Sequence, residues 1–487
     1  MTAFVLVSGP FTGGWVWQEV VGRLRAAGCE AYGVTLAGMD GGGGQEVDLE
    51  AHIGDVVRVV DRVGAGEEVV LVGHDYGIHP VLGAADRRSG RVARVVYLDA
   101  GMPGDGDTAL AAVPDAAAVE GAGADGLVPA PRGDGWRRWG STAGLGEADL
   151  ERLDRLAVPQ PVRTLTQPLR LTGNPFDRPT TGVLCTANGS GIGMVELLVA
   201  TGPTRYRVLA DPRVGFFELD TGHWPMLSAP GPLADVLLRA AKDEGRRLSV
   251  PEHGGEFLLD VAERPRERRG RIDLHLPEAD GPRPAVLFVH GGPVPSDQRP
   301  TPRDTPTFLG YGRYAAAWGV VGATVDHRLH DLTDYPQAAE DVAGAVELLR
   351  ADPRVDGDRI ALWFFSGGGL LSARWLAEPP SWLRCVALTY PVLAPPPEWR
   401  VVDPRFRPAE VVGASSPPVV LTRVGLEHAA FAATVEEFVT AAGKAGAELD
   451  VVDVPLARHG FETLDHTDET REAVERAMRS VGARLNA

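Results

Sequence analysis

The sequence has 487 residues and an ordinary globular composition, with 44% hydrophobic and 23% charged residues. At about 100–200 residues per domain, this length predicts two to four domains. The net charge of −18 argues against a nucleic-acid partner, because a phosphate-binding surface needs positive charge. Three widely spaced cysteines argue against a disulfide framework, and the absence of long apolar runs or a basic leader predicts a cytoplasmic protein without membrane contact.

The first half of the sequence alternates strand and helix patterns. Apolar β-branched runs predict strands and amphipathic segments predict helices, in the order strand 4–7, helix 15–27, strand 31–35, helix 49–63, strand 68–72, strand 94–98 and strand 182–185. A long segment near 104–180 separates the last two of these strands.

The second half repeats this order. Its predicted elements are strand 284–289, helix 310–318, strand 320–326, helix 336–351, strand 359–363, strand 418–425 and strand 449–454. Two extra strands, 257–261 and 271–276, are predicted ahead of the shared ones, and the arginine-rich stretch 264–271 is interpreted as a solvated linker. Charge clusters between 242 and 271 put the boundary near residue 247.

Strands that are apolar on both faces and alternate with helices predict a parallel sheet covered on both sides. The fold class is therefore α/β, with two doubly wound domains, each with a mostly parallel sheet. We predict the domains at 1–247 and 248–487.

In each half, one strand ends at a sharp glycine-rich corner that leads into a helix. The two corners are Gly73-His74-Asp75-Tyr76-Gly77 and Phe364-Phe365-Ser366-Gly367-Gly368. Small residues let strand and helix approach closely, so that the central side chain projects above the strand ends. This arrangement is typical of a nucleophile elbow, and two of them in equivalent positions make plain turns a poor explanation.

With these corners, both halves resemble the α/β-hydrolase superfamily. The first half is similar to small esterases and hydroxynitrile-lyase-like members through Leu71-Val-Gly-His-Asp-Tyr-Gly77 and Thr221-Gly-His-Trp-Pro-Met226. The second is similar to dienelactone-hydrolase-like and acylaminoacyl-peptidase-like esterases through Val289-His-Gly-Gly-Pro293 and Ala457-Arg-His-Gly-Phe461. The resemblance implies two α/β-hydrolase domains, the first with a helical cap near 104–180, and a hydrolase acting on a small organic molecule.

In the second half, the family order of nucleophile, acid and histidine selects Ser366, Glu427 and His459. A serine hydroxyl needs a histidine base, and that base needs a carboxylate to fix its tautomer. The resemblance also makes the backbone N–H groups of Gly291, Gly292 and Gly367 candidates for the oxyanion hole. Phe364 departs from the family, which has a small residue there, and a bulky side chain could force the elbow open or displace Ser366.

In the first half, Asp75 replaces serine at the elbow and His223 is the candidate base. The usual acid position after strand 182–185 offers only Asn188 and Ser190, so Asp99 is the candidate acid, as in relatives that take the acid from the preceding strand. Phe11, Tyr76 and Trp136 are candidate binding residues. Phe11 follows the first strand, Tyr76 follows Asp75 in the elbow, and Trp136 lies in the cap.

Three interpretations of the first-half site stay open at this stage. An Asp nucleophile could open an epoxide or a carbon–halogen bond, as in epoxide-hydrolase-like and dehalogenase-like relatives. Asp75 and His223 could instead perform acid–base catalysis in a lyase, cyclase or decarboxylase. The third interpretation is an esterase site that has lost its activity and now serves binding or a structural role. No phosphate-binding loop or zinc-protease motif is present, so neither a cofactor nor a metal is expected.

Overall fold

The computed structural model describes residues 2–42, 44–113, 116–122, 126–201, 204–248, 256–396, 399 and 401–487. The chain forms two compact units, one comprising Met1–Ile192 and Val208–Leu248, the other Gly193–Arg207 and Ser249–Ala487. No helix among these described residues is both long and apolar enough to cross a lipid bilayer.

The first unit is a parallel sheet with helices on both faces. Its strands are β1 Thr2–Val7, β2 Glu30–Val34, β3 Glu68–His74, β4 Val92–Leu98, β5 Leu127–Val128, β6 Gln160–Pro161, β7 Thr180–Cys185 and β8 Val214–Leu219. Its helices are α1 Gln18–Ala26, α2 Leu49–Arg62, α3 Ile78–Arg87, α4 Ala116–Ala122, α5 Glu147–Leu156, α6 Val162–Thr166, α7 Ile192–Thr201, α8 Pro225–Ser228 and α9 Pro230–Ala241, although α7 continues into the second unit. The six-stranded sheet has the order β2-β1-β3-β4-β7-β8, and α1 packs with α9 while α2 packs with α3. The predicted cap lies between β4 and β7 and contains α4, α5 and α6.

The second unit is built on an eight-stranded sheet. Its strands are β9 Arg266–Arg269, β10 Ile272–His275, β11 Arg283–Val289, β12 Val321–Val325, β13 Val355–Phe365, β14 Leu383–Thr389, β15 Val419–Leu426 and β16 Leu449–Arg458. Its helices are α10 Pro306–Ala317, α11 Tyr335–Arg350, α12 Ala373–Ala377, α13 Pro408–Val411, α14 Ala429–Ala445, α15 Phe461–Leu464 and α16 Asp468–Leu485. The sheet has the order β16-β15-β14-β13-β11-β12-β10-β9, with β9 and β10 antiparallel.

The core of the second unit lies on both faces of this sheet. Successive strand residues point to opposite faces, so Leu287 of β11 enters one apolar cluster and its neighbour Phe288 enters the other. Helices α11, α12 and α14 cover the first cluster, and α10 and α16 cover the second. The predicted doubly wound α/β architecture is confirmed.

Two predictions ahead of β11 are wrong. Residues 257–261 form no strand; Phe257 instead packs edge-on against Tyr311 with ring centres 5.1 Å apart, and Leu258 is buried. The arginine-rich stretch interpreted as a linker contains the edge strand β9, whose four side chains are exposed. Ion pairs hold it to β10, because the fully buried Asp273 binds Arg266 at 3.0 Å and Arg268 at 2.9 Å.

The division of the chain differs from the predicted boundary in one segment. The first unit ends at Leu248, one residue beyond the predicted cut, but Gly193–Arg207 belongs with the second unit. Met194 packs against the core of that unit, and Arg458 donates a hydrogen bond of 2.5 Å to the Glu196 carboxylate. These contacts explain why sequence position alone misassigns the segment.

Candidate active sites

Both predicted elbows are strained turns at the end of a central strand. Asp75 follows β3 with φ 49°, and Ser366 follows β13 with φ 51°. A residue other than glycine in this left-handed region is held there at a cost, and such residues concentrate at functional sites. Both side chains therefore project beyond the carboxyl ends of parallel strands, where α/β sheets carry their sites.

In the second unit, Ser366, His459 and Glu427 form one chain of hydrogen bonds. His459 directly follows β16 and Glu427 directly follows β15, so the sheet order brings both beside the elbow. The distance from His459 Nε2 to Ser366 Oγ is 2.7 Å, and that from His459 Nδ1 to Glu427 Oε2 is 2.7 Å. A carboxylate only accepts, so Nδ1 carries the proton and Nε2 is free to accept from the serine hydroxyl.

The three glycines predicted for the oxyanion hole meet at the elbow. A Cβ on Gly291 would lie 2.7 Å from the Cβ of Ser366, and one on Gly367 would lie 2.2 Å from the carbonyl oxygen of Gly292. The two loops can therefore approach this closely only without side chains. Their contact places the backbone of Gly291 and Gly292 against the elbow residues Ser366 and Gly367.

The expectation that Phe364 disturbs the elbow is wrong. Its side chain is fully buried in the apolar core, between Val289 of β11 and Leu388 of β14. After the elbow the chain runs as a 3₁₀-helix over Ser366–Ser372, so no α-helix closes against this position. In the first unit, α3 begins at Ile78, and a Cβ on Gly73 would lie 2.5 Å from the Ile78 Cα.

Two stacked histidines support the loop that carries Gly291. The rings of His290 and His327 are 3.7 Å apart and nearly parallel, and His327 Nε2 donates to the His290 carbonyl at 2.9 Å. Burial lowers the pKa of His290 to about 4, so the pair is neutral near pH 7. These contacts give the two histidines a structural role in holding the loop.

In the first unit, the structure brings Asp75, His223 and Asp99 together. Asp99 directly follows β4 and His223 lies in the loop after β8. His223 Nδ1 is 2.7 Å from Asp99 Oδ2, and His223 Nε2 is 3.2 Å from Asp75 Oδ2. Asn188, at the usual acid position, instead donates to Asp99 Oδ2 at 2.7 Å and accepts from the Ser141 N–H at 2.7 Å.

The two histidines differ in the groups that face their ring nitrogens. Both ring nitrogens of His223 face carboxylates, which only accept, so the ring is an imidazolium held between Asp75 and Asp99. Burial lowers the pKa of His223, but its hydrogen bonds and charge interactions with the two carboxylates outweigh burial and raise the pKa to about 10. His459 has a carboxylate on one side only, and its other nitrogen faces a hydroxyl.

The loop opposite the Asp75 elbow has its backbone donors already occupied. A Cβ on Gly9 would lie 3.0 Å from the Cβ of Asp75, so this loop borders the site. The Gly9 N–H donates to His74 Nδ1 at 3.2 Å, and the Phe11 N–H donates to Gln160 Oε1 at 3.2 Å. Pro10 has no N–H. Three consecutive positions of this loop therefore offer no free N–H to an oxyanion.

The predicted binding residues of the first unit occupy two surroundings. Phe11 and Trp136 are buried with ring centres 6.3 Å apart, and Trp224 links Trp136 to the His223 ring through edge contacts of 5.5 and 5.0 Å. Tyr76 faces elsewhere, because its hydroxyl binds His52 Nδ1 at 2.8 Å. The sequence did not single out Trp224, although its position directly after His223 could have suggested it.

Comparisons with known proteins match both parts of the chain. Residues 4–236 match the model of the Alpha/beta hydrolase family, and residues 272–375 match that of BD-FAE. A carbendazim hydrolyzing esterase of Nocardioides sp. (strain SG-4G) is 30% identical over 260 residues, which cover 49% of this chain and 98% of that protein. Methyl jasmonate esterase 1 of Vitis vinifera is 34% identical over 105 residues, or 21% of this chain and 40% of that protein. A solved methylesterase from Arabidopsis aligns at 22% identity and a TM-score of 0.40, covering 50% of this chain and all of that one.

Proposed function

The chain belongs to the alpha/beta hydrolase family and is a hydrolase, and we propose that its second unit hydrolyses the ester, thioester or amide bond of a small molecule. The observation that carries this proposal is the unbroken hydrogen-bond chain Ser366, His459, Glu427, at 2.7 Å for each link.

The geometry suits acyl transfer to water. His459 Nε2 would take the proton of Ser366 Oγ as that oxygen attacks the carbonyl carbon, while Glu427 stabilises the imidazolium that forms. The backbone around Gly291 and Gly367 would donate to the oxyanion. The imidazolium then protonates the leaving group, and the same histidine activates the water that releases the acid.

The test is a set of p-nitrophenyl esters of increasing acyl length, assayed with Ser366→Ala and with Asp75→Asn. The proposal expects Ser366→Ala to lower kcat/KM by at least about 10³-fold, the scale seen when a triad nucleophile is removed. Asp75→Asn should retain turnover. A loss with Asp75→Asn alone would overturn the assignment, and unchanged turnover with both would make both elbows structural.

A second candidate function belongs to the first unit, where the occupied loop donors favour acid–base chemistry without hydrolysis. Acyl transfer develops an oxyanion that needs preorganised donors. Hydrolysis of an alkyl ester on Asp75 also forms an oxyanion. Both reactions are therefore slowed when Gly9, Pro10 and Phe11 offer no N–H to stabilise it. Proton transfer by His223 and Asp75, as in a lyase or cyclase, needs no such donors.

The reversion Asp75→Ser separates this candidate from a retired esterase. If the site is only an esterase that lost its serine, the reversion should restore labelling of residue 75 by a fluorophosphonate. If the site lacks the N–H donors that serine phosphonylation needs, residue 75 should stay unlabelled. Labelling there would contradict the acid–base candidate.

A further inference from the structure

The residue that directly follows β14 occupies the position that Asp99 occupies after β4 in the first unit. Tyr390 has φ 35° and Asp99 has φ 44°, and each donates its backbone N–H to the neighbouring strand. The acceptors are Thr422 at 2.9 Å and Val183 at 2.8 Å. In the first unit this strained position supplies the carboxylate that binds the candidate base His223, whereas in the second it supplies a phenol.

Tyr390 lies between the candidate base and a second buried carboxylate. Its ring centre is 4.6 Å from that of His459, and its hydroxyl donates to Glu462 Oε2 at 2.6 Å. Glu462 is only 1% exposed and lies three residues after His459, in α15. Its other oxygen, Oε1, accepts from the hydroxyl of Tyr311 at 2.6 Å.

A buried carboxylate is costly unless its oxygens are hydrogen-bonded. Both oxygens of Glu462 are bound by phenols, which is the arrangement that favours the ionised form. Burial raises the pKa of Glu462 above its usual value, and the two phenol hydrogen bonds limit that rise without cancelling it. The group is therefore held by a dedicated pair of donors directly behind the candidate base.

We propose that Tyr390 and Glu462 are positioning residues for His459, an inference that rests on the proposed acyl-transfer function. The Glu462 carboxylate fixes the position of the Tyr390 phenol, and the Tyr390 ring packs against the imidazole of His459. The buried negative charge of Glu462 favours the imidazolium that forms when Ser366 gives up its proton. Neither residue touches the reacting atoms.

The other charged groups near His459 have partners of their own. Glu427 binds Nδ1 of the imidazole directly. Arg458, the preceding residue, is paired with Asp465 at 2.6 Å and with Glu196 at 2.5 Å. On the Glu462 side, Tyr311 is the second phenol, and the His466 ring binds the Glu462 carbonyl oxygen through Nε2 at 2.8 Å.

The matched variants are Tyr390→Phe and Tyr311→Phe. Each removes one hydrogen bond of 2.6 Å to the same carboxylate, so a merely structural role predicts equal effects. The proposal expects similar losses of thermal stability. It also expects Tyr390→Phe to slow fluorophosphonate labelling of Ser366 by about tenfold, against less than about twofold for Tyr311→Phe.

A second readout does not depend on any substrate. The full chain contains 12 histidines, so selective ¹⁵N-histidine labelling allows an NMR titration of His459, with assignment by His459→Gln. Glu462→Gln should lower the measured pKa of His459 by about half a unit, because the imidazolium loses a nearby negative charge.

The outcomes separate this inference from the proposed function. An absent adduct on Ser366 in the wild-type chain would contradict the proposed function, and with it the inference. A labelled wild type with equal rates in the two tyrosine variants, or an unshifted His459 in Glu462→Gln, would overturn the positioning role alone. Unequal rates together with the shift would support it.

Discussion

Phe364 provides a quantitative test of how the second elbow is built. The family resemblance favours a small residue at this position, but the structure buries the whole side chain between β11 and β14. A buried phenylalanine removes about 150–250 Å² from water, and its truncation to alanine costs about 3–5 kcal/mol. At about 2–4 °C per kcal/mol for a domain of this size, Phe364→Ala should lower the Tm of the second unit by about 6–20 °C.

Differential scanning calorimetry measures this shift directly. Leu456→Ala is the control, since Leu456 is 75% exposed and should change stability by less than about 0.5 kcal/mol. Labelling of Ser366 by a fluorophosphonate, measured below the transition, reports on the elbow itself. An unchanged Tm together with faster labelling would refute the reasoning, because it would mean that Phe364 strains the elbow.

Three further predictions address the first unit and the edge of the second sheet. Because the pKa of His223 is raised from 6.5 to about 10, its stabilising contribution is complete below about pH 6.5 and is lost as the pH rises through about 10. Urea unfolding should therefore show a free energy of unfolding that falls across this pH window. The fall should be smaller in Asp75→Asn. Gly140→Ala should disorder the first site, since a Cβ there would lie 2.5 Å from the Cβ of His223. The change should appear in the NMR signals of His223. The control is Gly22→Ala, whose Cβ would meet nothing within 4 Å and which should leave these signals unchanged. Asp273→Asn should lower the free energy of unfolding of the second unit by about 2 kcal/mol in urea titrations. This loss is smaller than that for a fully buried ion pair because the two arginines reach solvent. An unchanged free energy of unfolding would mean that these ion pairs do not hold β9.

Apolar patterning predicted most strands of the two sheets, but it missed β8, Val214–Leu219, and β14, Leu383–Thr389. The run predicted at 284–289 is β11, Arg283–Val289, and the helix predicted at 336–351 is α11, Tyr335–Arg350. The apolar pattern failed where buried residues form no strand and where a strand has no buried side chains. Phe257 and Leu258 are anchors without a strand, and β9 has four charged side chains without any apolar alternation.

The candidate sites were predictable as far as chain order and strand ends determine them. Ser366, Glu427 and His459 each directly follow a strand, so a parallel sheet brings them together. The contact between Tyr390 and Glu462 was not predictable, because 72 residues separate them and neither belongs to the motif that identified the triad. The occupied N–H of Gly9 depends on the orientation of a neighbouring ring, which no sequence pattern encodes.

We propose that the second unit performs acyl transfer through Ser366. The most direct test of this claim is peptide mass spectrometry of the full chain after reaction with a fluorophosphonate. We expect one adduct on Ser366 in the wild type and its near-complete loss in His459→Gln. No adduct on Ser366 of the folded wild-type chain would contradict the claim.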